Sequence, residues 1–206
     1  MTSAIDRKNN ESGLKYLFGS EYRRWVYETP YLMYVTPECV TSRIMSIIAR
    51  EYALTPLSVT WDMFAGIGTD SIELSKYSSV IATEINPETH KHQETNLATF
   101  GVTNVTSILS DCTDMIDRLN ASVNLIYFDP PWGETFRTGY DFDFSQVKLS
   151  NGKEVVNLAQ EVQNKITRNI VIKSPITSCT FDILFESDIA LIYTFPQQKL
   201  KFILLK

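Results

Sequence analysis

From residue 39 onward, the apolar positions of the chain alternate between helical and strand-like spacing. In the segment 39–53 they recur every three or four residues, which places them on one face of a helix. These positions are Val40, Ile44, Ile47 and Ile48. Further helices are predicted at 69–77, at 152–166 and from Pro87, which suits a first helical turn, to Phe100, with Gly101 as the cap.

Short apolar and β-branched runs predict the strands of a sheet. They lie at 58–64, 79–85, 105–111, 123–129, 168–175, 189–195 and 200–206. Because helices separate most of these strands, we expect βαβ units with parallel pairing. Only residues 196–199 separate the last two strands, so the sheet is predicted to finish with an antiparallel hairpin. The fold is therefore predicted to be α/β and doubly wound, with about seven strands.

The segment before residue 39 is predicted to be a small helical extension of the sheet domain. Residues 1–13 are polar, contain no apolar signal segment and are typical of a tail. Residues 16–34 are rich in aromatic side chains and include Arg23 and Arg24. Such a segment can pack as a satellite core and also serve as a lid over a ligand site. We therefore divide the chain into an extension or lid at 1–38 and a sheet domain at 39–206.

Composition narrows the class of protein. A chain of 206 residues with 44% hydrophobic composition is long enough for one domain with a substantial core. Because no apolar run is long enough to cross a bilayer, we expect no membrane association. The three cysteines lie far apart, which argues against a zinc site or disulfides and favours an intracellular protein, nuclear or cytoplasmic. We expect a monomer that holds no metal.

The net charge of −5 does not favour bulk electrostatic attraction to long nucleic acids. A small anionic substrate, or one held by a local basic patch, remains compatible with this charge.

Three successive predicted strands end in carboxylates, which a parallel sheet brings to one edge. Asp62 ends the first strand and is followed by Gly66 and Gly68, which allow a tight turn and a close approach to a ligand. Glu84 ends the second strand, where an acid can accept hydrogen bonds from both ribose hydroxyls of a nucleoside. Asp111 ends the third, where it can accept from an adenine amine or cap the next helix.

This pattern favours a nucleoside cofactor that has hydroxyls and an amine. The first loop lacks the G-x-x-x-x-G-K-[ST] motif of nucleoside triphosphate sites and the third glycine of the dinucleotide motif. Carboxylates would also repel a pyrophosphate. S-adenosylmethionine, which is cationic at sulfur, fits best.

The fourth strand ends in Asp129-Pro130-Pro131-Trp132. The Asp129 carboxylate and the rigid carbonyl of Pro130 could accept hydrogen bonds from a planar exocyclic amine and orient its nitrogen toward a methyl donor. Trp132 provides a flat face on which a base could stack, and more strongly if the base is cationic. The segment therefore predicts the substrate side of a methyl-transfer site.

With these residues the chain resembles class I S-adenosylmethionine-dependent methyltransferases, and more closely the trimethylguanosine synthase family of RNA cap guanine-N2 methyltransferases. The resemblance runs from about Lys15 to the C-terminus. Its motifs are YVTPE at 34–38, WDMFAGIGTDSIELS at 61–75, DPPWGETF at 129–136 and NIVIKSP at 169–175. The combination of Pro-Pro-Trp-Gly with Val-Thr-Pro-Glu is the most specific of these. The resemblance implies a Rossmann-like methyltransferase domain acting on capped RNA or a 7-methylguanosine nucleotide.

The resemblance also implies roles for individual positions. The cofactor would be held by Thr36, Asp62, Gly66, Gly68, Glu84 and Asp111, together with Phe64, Ala65, Ile85, Cys112 and Asp129 beside them. Asp129, Pro130 and Trp132 would form the catalytic segment. The substrate would be bound by Trp132 and Pro131, by Asn96 at the base and by Lys15 facing the cap phosphates.

Two positions depart from the family pattern. The family often has Ser-Pro-Pro-Trp-Gly-Gly, whereas this chain has Asp129 first and Glu134 at the second glycine. Asp129 is typical of enzymes that methylate adenine N6. The family usually has an arginine after the NIVIKSP strand to grip the triphosphate. Here Ile176 follows Pro175, so Lys173 or the Arg23–Arg24 pair would have to take that role.

The leading hypothesis is an enzyme that methylates the exocyclic N2 amine of 7-methylguanosine in an RNA cap. Asp129 keeps open an alternative, methylation of adenine N6 or of another exocyclic amine in RNA or DNA. A different class of function is a cap-binding module that has lost turnover. The intact cofactor loop argues against that third hypothesis.

Overall fold

The computed structural model describes residues 10–119, 123–132 and 142–206. One sheet contains its seven strands, in the order β3-β2-β1-β4-β5-β7-β6. The strands are β1 Val59–Asp62, β2 Ser79–Glu84, β3 Val105–Leu109, β4 Leu125–Phe128, β5 Ile170–Pro175, β6 Ile189–Phe195 and β7 Leu200–Leu205. Each predicted strand is present. β6 has the predicted bounds, and each of the other strands is one to three residues shorter than predicted.

Seven α-helices accompany the sheet within these described ranges. They are α1 Glu11–Phe18, α2 Glu38–Glu51, α3 Thr69–Leu74, α4 Pro87–Thr99, α5 Cys112–Met115, α6 Val155–Lys165 and α7 Thr180–Leu184. The predicted helices correspond to α2, α3, α4 and α6, and α5 is the helix that Asp111 was predicted to cap. The helix α1 lies in the segment predicted as a helical extension, whereas α7 was not predicted. Short 3₁₀ turns lie at Gly19–Arg24, Thr29–Met33, Phe144–Gln146 and Pro196–Gln198. No helix in the described ranges is both long and apolar enough to cross a membrane.

Strand pairing confirms the predicted architecture. The pairs β3–β2, β2–β1, β1–β4 and β4–β5 are parallel, whereas β5–β7 and β7–β6 are antiparallel. The carboxyl ends of the five parallel strands therefore meet at one edge of the sheet. The reversal of strand order beside β1 and β4 is the switch point at which such folds bind ligands.

Both faces of the sheet are covered by apolar side chains, which explains why its central strands are buried throughout. On one face, α2 packs Val40, Ile44 and Ile48 against β4, β5 and β7. On the other face, α6 packs with the segments around Phe144 and Phe181. The predicted apolar face of α2 is confirmed, since its four named residues are buried.

The N-terminal extension begins inside the segment whose polarity is typical of a tail. Asn10 caps α1 by accepting a hydrogen bond from the Gly13 amide at 2.7 Å, so the helix starts at Glu11. Five side chains of the extension, from Leu17 to Val35, form a third apolar cluster with Ile67. The extension thus packs directly on the loop that follows β1.

Candidate active site

The loop after β1 turns sharply at two glycines. Gly66 and Gly68 have φ angles of +54° and +91°, in the left-handed region that glycine tolerates. The Gly66 amide donates a hydrogen bond to Glu84 Oε2 at 3.0 Å, and the Gly66 carbonyl accepts one from Gln93 Nε2 at 3.0 Å. The loop is therefore fixed from β2 and α4, and it presents backbone rather than side chains to the sheet edge.

Glu84 is held in place by backbone donors. Its Oε1 accepts a hydrogen bond from the Asn86 amide at 2.8 Å, while Oε2 binds the Gly66 amide. Burial raises the pKa of Glu84, and these amides oppose that rise. A carboxylate so fixed at the end of β2 keeps acceptor capacity for two further donors.

Asp62 is the most deeply buried acid of the edge, with 1% of its surface exposed. Its Oδ2 accepts a hydrogen bond from the Ser71 hydroxyl at 2.6 Å. Its buried Oδ1 has no partner of hydrogen-bonding geometry among the described residues. Burial raises the pKa of Asp62 to about 8, and the charges of Asp70 and Asp129 add to that rise. A cation or a hydrogen-bond donor that contacted this Oδ1 atom would therefore be stabilised.

Asp70 is a central residue of this region that sequence reasoning missed. Its buried carboxylate accepts hydrogen bonds from the hydroxyls of Thr36, Thr41 and Tyr127 at 3.0 to 3.2 Å. It therefore ties the segment before α2, α2 itself and β4 to the first turn of α3. The only sequence signal was an acid one residue after the helix start, which is typical of ordinary capping chemistry.

Asp111 caps α5. Its Oδ1 accepts hydrogen bonds from the Thr113 amide and hydroxyl, both at 2.9 Å, and its Oδ2 accepts one from Asn151 at 3.1 Å. The capping interpretation of this residue is confirmed. Next to it Cys112 is buried, and burial raises the pKa of its thiol.

Apolar side chains line the same edge. The Phe64 ring packs edge-on against Phe128, with ring centroids 5.3 Å apart. Ala65 is buried, whereas Ile85 has 51% of its surface exposed although it follows directly on Glu84. An exposed isoleucine at a strand end offers an apolar surface to a flat ligand.

At the end of β4, Asp129 forms an ion pair that the sequence did not predict. Asp129 follows β4, and its Oδ2 lies 2.5 Å from the Nζ of Lys173 in β5. Lys173 is 3% exposed. Burial raises the pKa of Asp129 to about 6, while Lys173 and, more weakly, the Trp132 side chain lower it.

Trp132 lies between the two apolar clusters and is half-buried. The Lys173 ammonium is 5.7 Å from the centroid of its ring, and the Phe142 ring lies 6.5 Å away at a tilt of 39°. Pro130 is buried and Pro131 is exposed. Residues 133–141, which include Glu134, lie outside the described residues.

The remaining predicted substrate residues make their contacts in or with the N-terminal extension. Asn96 is fully buried, and its side chain bonds the Val26 amide and carbonyl and the Ile67 carbonyl, at 2.8 to 3.0 Å. It therefore connects the extension to the cofactor loop. Lys15 and Arg23 share Glu11 in exposed ion pairs on the extension, and Arg24 pairs with Glu21.

The donor and acceptor set of the edge fits S-adenosylmethionine. Glu84 can accept hydrogen bonds from ribose hydroxyls, and the unmatched Asp62 oxygen can accept from an ammonium group. The three neighbouring acids Asp62, Asp70 and Asp129 face a single buried cation, Lys173, so a further positive charge is favoured. Within the described ranges, no three His, Cys, Asp or Glu side chains form a group that could hold a metal ion.

Comparison with known proteins gives three kinds of match. A family model described as RNA cap guanine-N2 methyltransferase matches residues 57–203. The trimethylguanosine synthase of Schizosaccharomyces pombe is 28% identical over 118 residues, which cover 55% of this chain and 45% of that protein. The chain thus matches less than half of the length of that relative.

Solved structures share the fold at low sequence identity. A putative methyltransferase from Porphyromonas gingivalis has a TM-score of 0.64 at 14% identity, covering 100% of this chain and 54% of that one. An S-adenosylmethionine-dependent methyltransferase from Aquifex aeolicus has a TM-score of 0.57 at 12% identity, covering 82% and 93%. An rRNA methylase from Streptococcus thermophilus has a TM-score of 0.55 at 14% identity, covering 80% and 93%.

Proposed function

The chain belongs to the RNA cap guanine-N2 methyltransferase family, and we propose that it methylates the exocyclic N2 amine of 7-methylguanosine in an RNA 5′ cap. The fold is that of a class I methyltransferase, and the cofactor is S-adenosylmethionine. One observation carries the proposal. The Asp129–Trp132 segment leaves β4 directly beside the β1 loop, because Asp62 and Tyr127 are paired in register.

In this proposal the cofactor lies across the ends of β1, β2 and β3. Glu84 accepts from the ribose hydroxyls, and the Gly66–Gly68 turn lets the cofactor approach the backbone. Asp62 faces the amino-acid end, with Thr36 supporting this region through its hydrogen bond to Asp70. The adenine lies among residues that flank β2 and α5: Phe64, Ala65, Ile85, Asp111 and Cys112.

The substrate base occupies the β4 side of the edge. Bound S-adenosylmethionine supplies a methyl group whose bond to sulfur breaks, with the bonding electrons staying on sulfur. Asp129 and the Pro130 carbonyl accept hydrogen bonds from the exocyclic amine and orient its nitrogen, which is mainly a positioning effect. Trp132 and Pro131 supply the surface for a cationic 7-methylguanine ring.

The cap phosphates require cations, and the extension provides the accessible ones. Lys15, Arg23 and Arg24 have half or more of their side-chain surface exposed, and their ion pairs are with surface acids. Arg24 also donates a hydrogen bond to the Thr99 carbonyl. Such pairs are worth about 0–1 kcal/mol, so a phosphate can displace them at little cost. We therefore propose that residues 10–38 form a lid for the catalytic domain at 39–206, with Asn96 holding that lid beside the base.

Mass spectrometry of the methyl acceptor tests this function. The protein is incubated with S-adenosylmethionine and, in parallel, with 7-methyl-GTP, GTP or an adenine-containing RNA. We expect methylation of 7-methyl-GTP at N2 and at least tenfold less of GTP, since the uncharged base gains less from Trp132. Equal methylation of GTP would contradict the cap-specific proposal.

Asp129 favours a second candidate, methylation of adenine N6, because a carboxylate at this position can accept a hydrogen bond from that amine. Methylation of the adenine-containing RNA alone would establish it. Calorimetry provides a further control, since binding of 7-methyl-GTP without binding of S-adenosylmethionine would instead indicate a module that has lost turnover.

A further inference from the structure

We propose that Lys173 is a positioning residue that keeps the Asp129 carboxylate charged and correctly aimed, so that Asp129 accepts the proton released by the substrate amine. This inference rests on the proposed transfer to an exocyclic amine, but it does not depend on which base carries that amine. It also gives Lys173 a role different from the phosphate contact that the sequence suggested.

Strand register brings the two residues together. Phe128 and Ile172 are partners in the parallel pair β4–β5, so the next residue of each strand lies at the same level. The Lys173 Nζ is 2.5 Å from Asp129 Oδ2. Because Lys173 is 3% exposed and its ammonium is directed at this acid, the side chain is not placed to reach a phosphate in solvent.

The charges around Asp129 explain why it needs a cation. Asp70 on α3 repels a negative charge at Asp129, and the charge of Asp129 in turn raises the pKa of the neighbouring Asp62 on β1. The Tyr127 phenol on β4 lies in the same group. Burial also raises the pKa of Asp129. Lys173 on β5 opposes these effects through its positive charge and its hydrogen bond to Asp129. Without it, the buried carboxyl would take up a proton at neutral pH.

A protonated Asp129 could not complete the reaction. When the amine nitrogen forms its new bond to the methyl carbon, it must release one proton, and the carboxylate that accepts that proton becomes a carboxylic acid. By keeping Asp129 ionised, the ion pair lets Asp129 accept the proton that the amine releases during methyl transfer. Asp129 has a pKa of about 6, so it is mostly ionised at neutral pH only while Lys173 is present.

A substrate-free measurement tests the pair. Aspartate carboxyls are labelled with carbon-13, the Asp129 signal is assigned by its loss in Asp129→Asn, and the signal is titrated by NMR. In the wild-type protein we expect a midpoint near 6. In Lys173→Met the midpoint should rise by about one to three pH units, the usual effect of one close opposite charge. A wild-type midpoint below about 4, the ordinary value, or an unchanged midpoint in the variant, would overturn the proposal.

The chain offers a matched control. Lys201 on β7 is also buried, with 4% exposure, and pairs with Asp182 on α7. Lys201→Met removes an equivalent buried ion pair outside the site, so it should leave the Asp129 midpoint unchanged. If Lys173→Met fails to fold, Lys173→Gln provides the same test, because it removes the charge and keeps a polar side chain.

Enzyme kinetics then separate this role from a structural one. The acid limb of kcat/KM should follow the Asp129 midpoint, moving upward in the Lys173 variant and staying in place in Lys201→Met. An equal loss at every pH would make Lys173 a structural residue only. Failure of every base to accept methyl would overturn the proposed function, whereas the NMR titration would still decide the role of Lys173.

Discussion

The two halves of the sheet edge hold their carboxylates in different ways. In the cofactor half, Glu84 is held by amides of the adjoining turns and Asp111 by its own helix. In the substrate half, Asp129 depends on Lys173, a residue 44 positions later in the chain. Hydrogen bonds from backbone amides leave Glu84 and Asp111 able to accept from neutral donors, whereas the ion pair makes Asp129 depend on the neighbouring strand β5. Mutations should therefore separate cofactor binding from substrate chemistry.

The largest effect is expected for Glu84→Ala. This change removes the acceptor for two ribose hydroxyls and leaves the Gly66 amide without its partner. Two hydrogen bonds to a charged group correspond to about a 100-fold or greater loss of affinity for S-adenosylmethionine. Calorimetric titration with S-adenosylmethionine measures this loss of affinity. The control is Glu88→Ala, which removes an exposed acid at the start of α4 and should leave the affinity unchanged.

Trp132→Ala should weaken binding of the substrate and leave binding of the cofactor nearly unchanged. Loss of base stacking costs about 1–3 kcal/mol, which corresponds to roughly a 10-fold to 100-fold weaker binding of 7-methyl-GTP. Cofactor affinity should stay within about twofold, because Trp132 lies on the β4 side. Fluorescence or calorimetric titration with each ligand measures both. Loss of both affinities together would show that Trp132 serves the core of the domain.

The two halves also differ in how well sequence predicts them. The strand ends, the glycine turn and the acids of the cofactor half follow from local patterns, because apolar strand runs and turn glycines each carry a signal within a few residues. Asp70 and the Asp129–Lys173 pair could not be predicted, since their partners come from separate elements that only the tertiary fold brings together. The aromatic residues of the extension predicted its apolar cluster. They did not predict the hydrogen bonds by which Asn96 attaches Val26 of the extension to Ile67 of the loop after β1.

Asp62 should make cofactor binding depend on pH. Its folded pKa of about 8 lies above the ordinary value of 3.8, so the folded chain keeps a proton that the unfolded chain has released. Stability conferred by this proton falls as pH rises from about 4 through 8. An ammonium group near Asp62 favours the ionised form, so binding should release a proton and strengthen by up to about tenfold between pH 6 and 7.

Calorimetry in two buffers of different ionisation enthalpy measures that proton. Asp62→Asn should abolish its release and flatten the pH dependence between pH 6 and 7. Lys173→Met, on the substrate side, should not abolish it. Proton release that persists in Asp62→Asn would assign the effect to another group and contradict the role proposed for Asp62.

The smallest effect compares a glycine of the loop after β1 with a glycine outside that loop. Gly68 in the cofactor loop and Gly152 before α6 have similar φ angles, +91° and +84°. Alanine at either position costs about 1–2 kcal/mol of backbone strain. Only at Gly68 does the new methyl group meet a neighbour, the Gln93 side chain at 3.2 Å, which also holds the Gly66 carbonyl. Gly68→Ala should therefore lower the melting temperature about 2–4 °C more than Gly152→Ala, the shift that corresponds to about 1 kcal/mol. Equal shifts in thermal unfolding would show that Gln93 moves away freely and that the loop is not fixed from α4.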